Sequence, residues 1–77
     1  MTLETSLDRI QPGKRAVIAQ MDMEQAMQSR LRSFGLVPGT AVCCCYRSPG
    51  GQVSALAFRG TVIALRTRDL KKIRVRC

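Results

Sequence analysis

The sequence contains no histidine and no tryptophan, only five carboxylates, and only three aromatic residues among 77. Without histidine the chain lacks the commonest general base and the commonest metal ligand. The carboxylates stand apart at Glu4, Asp8, Asp22, Glu24 and Asp69, and no glycine-rich loop of the Walker type is there to cradle a phosphate. An enzyme is therefore not expected. No apolar run approaches the roughly 20 residues of a membrane-spanning helix, and Met1 to Ile10 has neither the basic start nor the apolar stretch of a secretory signal. These absences point to the cytoplasm. The four cysteines, at 43, 44, 45 and 77, agree, because their spacing is not a disulfide framework. Neighbouring strand residues point to opposite faces, so adjacent thiols do not easily bridge each other.

What the chain has in abundance is positive charge: ten arginines and three lysines, for a net charge of +8. That balance suits nucleic acid, an anionic membrane or an acidic protein surface, without choosing among them. At 77 residues the chain is expected to form one domain, residues 1–77, with a thin core.

The densest local information lies in Arg30-Leu31-Arg32-Ser33-Phe34-Gly35-Leu36-Val37-Pro38-Gly39-Thr40. Gly35 follows a helical pattern where a C-terminal cap needs positive φ, and Leu36 then falls where a Schellman motif seats an apolar contact on Leu31. Pro38-Gly39 fits the central pair of a type II turn. Upstream, Leu3, Leu7 and Ile10 suggest a loose turn or an edge segment, and Gln11-Pro12-Gly13 is a turn. Lys14 to Gln20 alternates as a first strand. Asp22 with Gln25 resembles a capping box, predicting a helix from about Met23 to Phe34. Met23, Met27, Leu31 and Phe34 would be its core stripe, with Ala26 beside them.

From Thr40 the period becomes two. Val42, Cys44 and Tyr46 share the inward face, and Ala41, Cys43, Cys45 and Arg47 the outward one. Ser48-Pro49-Gly50-Gly51 makes a hairpin loop, after which Leu56 and Phe58 point inward. Gly60 permits another reversal into Val62 to Leu65, with Ile63 and Leu65 inward. Thr67 would cap a short helical turn through Lys71, and Ile73-Arg74-Val75-Arg76 closes the chain. The expected fold is mainly β: a small five-stranded barrel, one α-helix inserted after the first strand, and a short helical turn before the last. Curling into a barrel removes strand edges that an open sheet would expose.

These residues resemble the FeoA domain, the small cytosolic component of bacterial ferrous iron transport systems. The resemblance runs from Leu7 to Val75. It is carried by the Arg30-Leu31 to Gly39 corner, by Arg47-Ser48-Pro49 with Gly51, and by Ile63-Ala64-Leu65-Arg66 followed by Ile73-Arg74-Val75. It implies an SH3-like barrel and a role as accessory of the permease FeoB, near its cytoplasmic GTPase region. Related domains also end metal-dependent repressors; no helix-turn-helix precedes the barrel here, so the free-standing form is expected. Two departures stand out: Gln52-Val53 follows the hairpin where the family often has Asp-Pro, and Cys43-Cys44-Cys45 replaces an ordinary strand.

Two candidate surfaces follow. Val37 and Pro38 at the corner, with Pro49 and Gly51 at the hairpin, offer apolar contacts rimmed by Arg30, Arg47 and Arg66. The planar guanidinium suits pairing with partner carboxylates. Cys43 and Cys45 lie two apart, with α-carbons about 6.6 Å from each other on a strand. They could share a soft ion, ferrous iron or zinc included, and Cys77 is the only other thiol that could join them. A closed zinc site wants four ligands, so the plainer expectation is no metal site, with Cys44 in the core between exposed thiols. Nucleic acid is the alternative partner, through Arg74 and Arg76 on the last strand. With Phe34, Tyr46 and Phe58 all assigned to the core, no stacking platform remains, and nucleic-acid binding is not expected. Self-association through an open edge or an exposed thiol stays open.

Overall fold

The computed structural model describes residues 3–77; Met1 and Thr2, the start of the segment read for a secretory signal, lie outside them. The elements in order are β1 (Glu4–Ser6), a 3-10 turn (Leu7–Arg9), β2 (Arg15–Met21), α1 (Gln25–Ser33), β3 (Ala41–Arg47), β4 (Val53–Phe58), β5 (Thr61–Arg66), α2 (Thr67–Leu70) and β6 (Ile73–Arg76). All strand pairs are antiparallel and form a sheet of order β1-β6-β2-β3-β4-β5.

Alternation places the core where the sequence puts it along most of the sheet. Ala16 and Ile18 of β2, Val42 and Cys44 of β3, Leu56 and Phe58 of β4, and Ile73 and Val75 of β6 are buried. Leu7, Leu31, Leu36 and Leu70 close the ends of this core from the turns and helices, and Ile63 and Leu65 pack partly buried against it. Two register shifts bend the sheet, one in β2 between Ile18 and Gln20 and one in β3 between Cys44 and Tyr46. An extra residue on one strand increases local twist, which is what curls a short sheet into a barrel. β1 and β5 remain the two ends of the hydrogen-bond ladder. α2 packs against both β5 and the 3-10 turn, filling the seam between them.

Among the described residues the sheet has six strands, one more than the sequence predicts. Glu4-Thr5-Ser6 carries no apolar alternation, yet it pairs with Arg74 to Arg76, and the Cys77 N–H donates to the Leu3 carbonyl at 3.0 Å. Backbone pairing to an exposed edge supplies that strand, and the buried Leu7 just after it supplies the anchor.

The helix starts later than the capping-box pattern suggests. Glu24 is its first flanking residue, and no side chain caps it. Asp22 instead accepts from the Gln20 amide, while its own N–H donates to the Lys72 carbonyl at 2.7 Å. Gln28 does the tethering: its amide donates to the carbonyls of Met21 (2.9 Å) and Met23 (2.8 Å), joining the helix to the incoming loop. Ala26, expected beside the core, is exposed. Thr67 likewise does not cap α2. Its hydroxyl donates to the Gly51 carbonyl and its N–H to that of Gln52, binding α2 to the β3–β4 hairpin.

Two of the three aromatics leave the core. Phe58 is buried at 3% exposure, but Phe34 is 46% and Tyr46 56% exposed. For Tyr46 the reason is the register shift. Cys44 faces Leu56 and Tyr46 faces Ala55, which leaves Cys45 as the extra residue. From that point the facing of β3 inverts, so Tyr46 turns out and Arg47 turns in.

Candidate docking groove

The corner from Arg30 to Thr40 folds as its glycine and proline spacing predicts. Gly35 takes φ +95, its N–H donates to the Arg32 carbonyl at 2.9 Å, and the Leu36 N–H reaches the Leu31 carbonyl at 3.0 Å. Those are the two bonds of a Schellman motif. Thr40 N–H then donates to the Val37 carbonyl at 3.0 Å, with Gly39 at φ +94, completing a type II turn. The buried Thr40 hydroxyl donates to the Gly35 carbonyl at 3.1 Å and locks turn to cap.

This geometry decides the fate of Phe34. Leu36 and Leu31 are both fully enclosed, so the place against Leu31 is taken and Phe34 is left at the helix end. It stands at the wall of a groove of about 420 Å³ between α1 and β5. Met27, Leu31, Ile63 and Leu65 give the groove an apolar surface. Arg30 from α1, Arg66 from the end of β5 and Arg68 from α2 line it, with Asp69 as the one carboxylate on its wall. Chemically, an apolar trough edged by guanidinium groups can hold a segment that is apolar on one side and acidic on the other.

The residues singled out from sequence divide among several places. Arg30 and Arg66 meet in the groove. Gly51 adjoins Arg66 on its far side, beside Gln52, Val53 and Lys71, and Pro49 is exposed at the hairpin tip. Val37 and Pro38 lie along the other flank of α1, with Gln28 and Arg32. Arg47 does not rim a surface as the alternation suggests. Half-buried, it donates from Nε to the Ser54 hydroxyl (3.1 Å) and from Nη2 to the Ile10 carbonyl (2.8 Å). Phe34, Met27 and Arg68 enter the groove unforeseen. The first two look like core residues at helical spacing, and nothing local distinguishes Arg68 from the other arginines.

Cys44 is fully buried, Cys43 is half-buried and Cys45 is exposed; all are free thiols. Cys77, at the chain end, does not join them: no three or more histidine, cysteine or acidic side chains gather as metal ligands among the described residues. The Cys45 thiol is pushed up from its ordinary pKa, first by local desolvation and then by the adjacent Cys43, against a small lowering by the Ala57 backbone. No helix among the described residues is long and apolar enough to cross a membrane.

The family model of the FeoA domain matches residues 5–77. The chain belongs to the FeoA family. Its fold is that of solved FeoA proteins. The FeoA protein of Chlorobium tepidum shares 25% identity at a TM-score of 0.89, covering 92% of this chain and 68% of that one. FeoA of Stenotrophomonas maltophilia, solved with zinc and described as a prokaryotic SH3 domain protein, shares 28% identity at a TM-score of 0.78. That match covers 92% of this chain and 88% of the other. The barrel is accordingly SH3-like. A manganese-dependent transcriptional repressor has the same fold over 97% of this chain and 42% of its own, at 16% identity and a TM-score of 0.84. No curated protein matches at the sequence level.

Proposed function

We propose that this FeoA-family chain is a non-catalytic, cytosolic accessory of bacterial ferrous iron uptake. In this reading it docks on an acidic segment of the permease FeoB, near its GTPase region, through the groove between α1 and β5. The observation that carries the docking reading is the convergence of Arg30, Arg66 and Arg68 on an apolar trough with an exposed phenyl ring at its wall. Family membership supplies the transport setting. A net charge of +8 speeds encounter with an acidic partner, and the apolar floor holds it once there. Val37, Pro38, Pro49 and Gly51 flank this site as secondary contacts. Arg47 is left out because its donors are engaged within the barrel.

The test is binding of the full chain to the cytoplasmic region of FeoB. Arg30→Glu with Arg66→Glu should weaken binding by at least about tenfold, roughly 1.4 kcal/mol, with the fold intact. Unchanged affinity would reject the groove. An oligonucleotide titration separates the other class of partner. Phe34 caps a helix and Tyr46 sits on β3, so the two exposed rings do not share one element as a stacking platform. No association at physiological salt is expected.

A further inference from the structure

Cys43 and Cys45 stand two residues apart on β3, on its outward side, beside the bulge at Cys45. The Cys45 thiol leans back along its own strand, 3.8 Å from the Cys43 carbonyl. Neither thiol is bridged, and both reach solvent.

We propose that Cys43 and Cys45 form a two-coordinate site for a monovalent thiophilic cation, of which Cu(I) is the biological example. This inference is independent of the docking groove. Ligand number selects the ion. Zinc and ferrous iron in thiolate sites want four donors, and among the described residues no third histidine, cysteine or carboxylate joins this pair. Soft thiolates select Cu(I), which is content with two sulfurs in a near-linear arrangement. Charge points the same way. Binding follows M⁺ + 2 RSH → [M(SR)₂]⁻ + 2 H⁺, so the loaded site carries one negative charge. Arg15 lies directly across from Cys43 on β2, and Arg15 and Arg59 both line a cavity of about 300 Å³ that includes Cys43. Those guanidinium groups neutralise the dithiolate that the ion creates. Ala57, facing Cys43 from β4, has a side chain too short to cover the sulfurs.

The experiment is an anaerobic titration of the reduced full chain with Cu(I) in competition with bathocuproine disulfonate, followed by absorbance and with proton release recorded in weak buffer. One Cu(I) per chain and nearly two protons per ion are expected at neutral pH. Cys43→Ser and Cys45→Ser should each weaken retention at least about tenfold, and Cys77→Ser should leave it unchanged. Circular dichroism on each variant checks the fold, and serine is nearly isosteric at these outward positions. Retention of Cu(I) by the Cys43→Ser/Cys45→Ser double variant would overturn the proposal. So would one ion per two chains, or displacement of Cu(I) by an equal concentration of Zn(II).

Discussion

The guanidinium of Arg47 joins the Ser54 hydroxyl at 3.1 Å to the Ile10 carbonyl at 2.8 Å, a partner 37 residues away in sequence. It thereby links β3, β4 and the loop after the 3-10 turn. Ser54 is fully buried, so removing Arg47 strands a polar group away from water. Arg47→Ala should lower stability by about 1–3 kcal/mol, read as a lower urea midpoint with an unchanged slope. Arg66→Ala, on an exposed residue, should change it by less than about 0.5 kcal/mol. Equal effects from the two would deny Arg47 its structural role.

Gly35 tests the corner. A Cβ added there would meet the Arg59 side chain at 3.6 Å, an ordinary van der Waals contact. Space is therefore no obstacle, and φ +95 is. Gly35→Ala should cost about 1–2 kcal/mol, and Gly35→Asn less, because asparagine tolerates the left-handed region better. Gly50 is the control. Its φ is not left-handed and its nearest neighbour lies at 4.0 Å, so Gly50→Ala should be neutral or slightly stabilising. Thermal melts of the three variants decide.

Phe34 separates docking from folding. Phe34 is half-exposed, so Phe34→Ser should cost only about 1 kcal/mol of stability, well below the loss expected for a buried ring. The docking proposed on FeoB should still fall, because an aromatic anchor at a groove wall is the kind of residue that carries interface energy. Wild-type affinity in Phe34→Ser, measured calorimetrically, would place the contact elsewhere.

The sequence made the corner legible because glycine and proline act locally: Gly35 and Gly39 have the backbone angles that their neighbours imply. Arg30 and Arg66 were legible as candidates, since one sits on the helix and the other ends a strand. Arg47, Tyr46 and Phe34 were not. The bulge at Cys45 depends on how β3 meets β4, a relation between distant segments that no spacing within β3 encodes. Phe34 keeps helical spacing from Leu31, but the turn that follows delivers Leu36 to the enclosed position instead. The polar β1 was hidden for a third reason: its pairing uses backbone groups, to which residue identity is nearly indifferent.

The thiol pair gives a pH prediction. Desolvation and the nearby Cys43 hold the Cys45 pKa above its ordinary value, so near pH 8 Cys45 carries less thiolate than a free cysteine. The thiolate is the nucleophile, and iodoacetamide should therefore modify Cys45 more slowly than a cysteine peptide at that pH. The gap should close as pH rises through the elevated pKa. Cys43→Ser removes one cause of the elevation and should speed modification of Cys45. Mass-resolved alkylation across pH 7–11 reads both effects, and a Cys45 rate equal to the peptide's throughout would contradict them.

The inverted facing of β3 predicts unequal roles for two aromatics that strict alternation would place together in the core. Phe58, at 3% exposure, belongs to the packed interior, where truncating phenylalanine to alanine leaves a cavity costing about 3–5 kcal/mol. Tyr46, at 56% exposure, faces Ala55 on the outer side of the bulge, and Tyr46→Ala should cost less than about 1 kcal/mol. Were β3 regular, both substitutions would empty the core and both would be severe. Denaturation midpoints of the two variants therefore measure whether the extra residue is present in solution. Deleting Cys45 provides the converse: without the extra residue Cys44, Tyr46 and Arg47 alternate regularly opposite Leu56, Ala55 and Ser54. Tyr46 then stays outward, Arg47 keeps its bonds to Ser54 and Ile10, and the shortened chain should be more stable than Arg47→Ala.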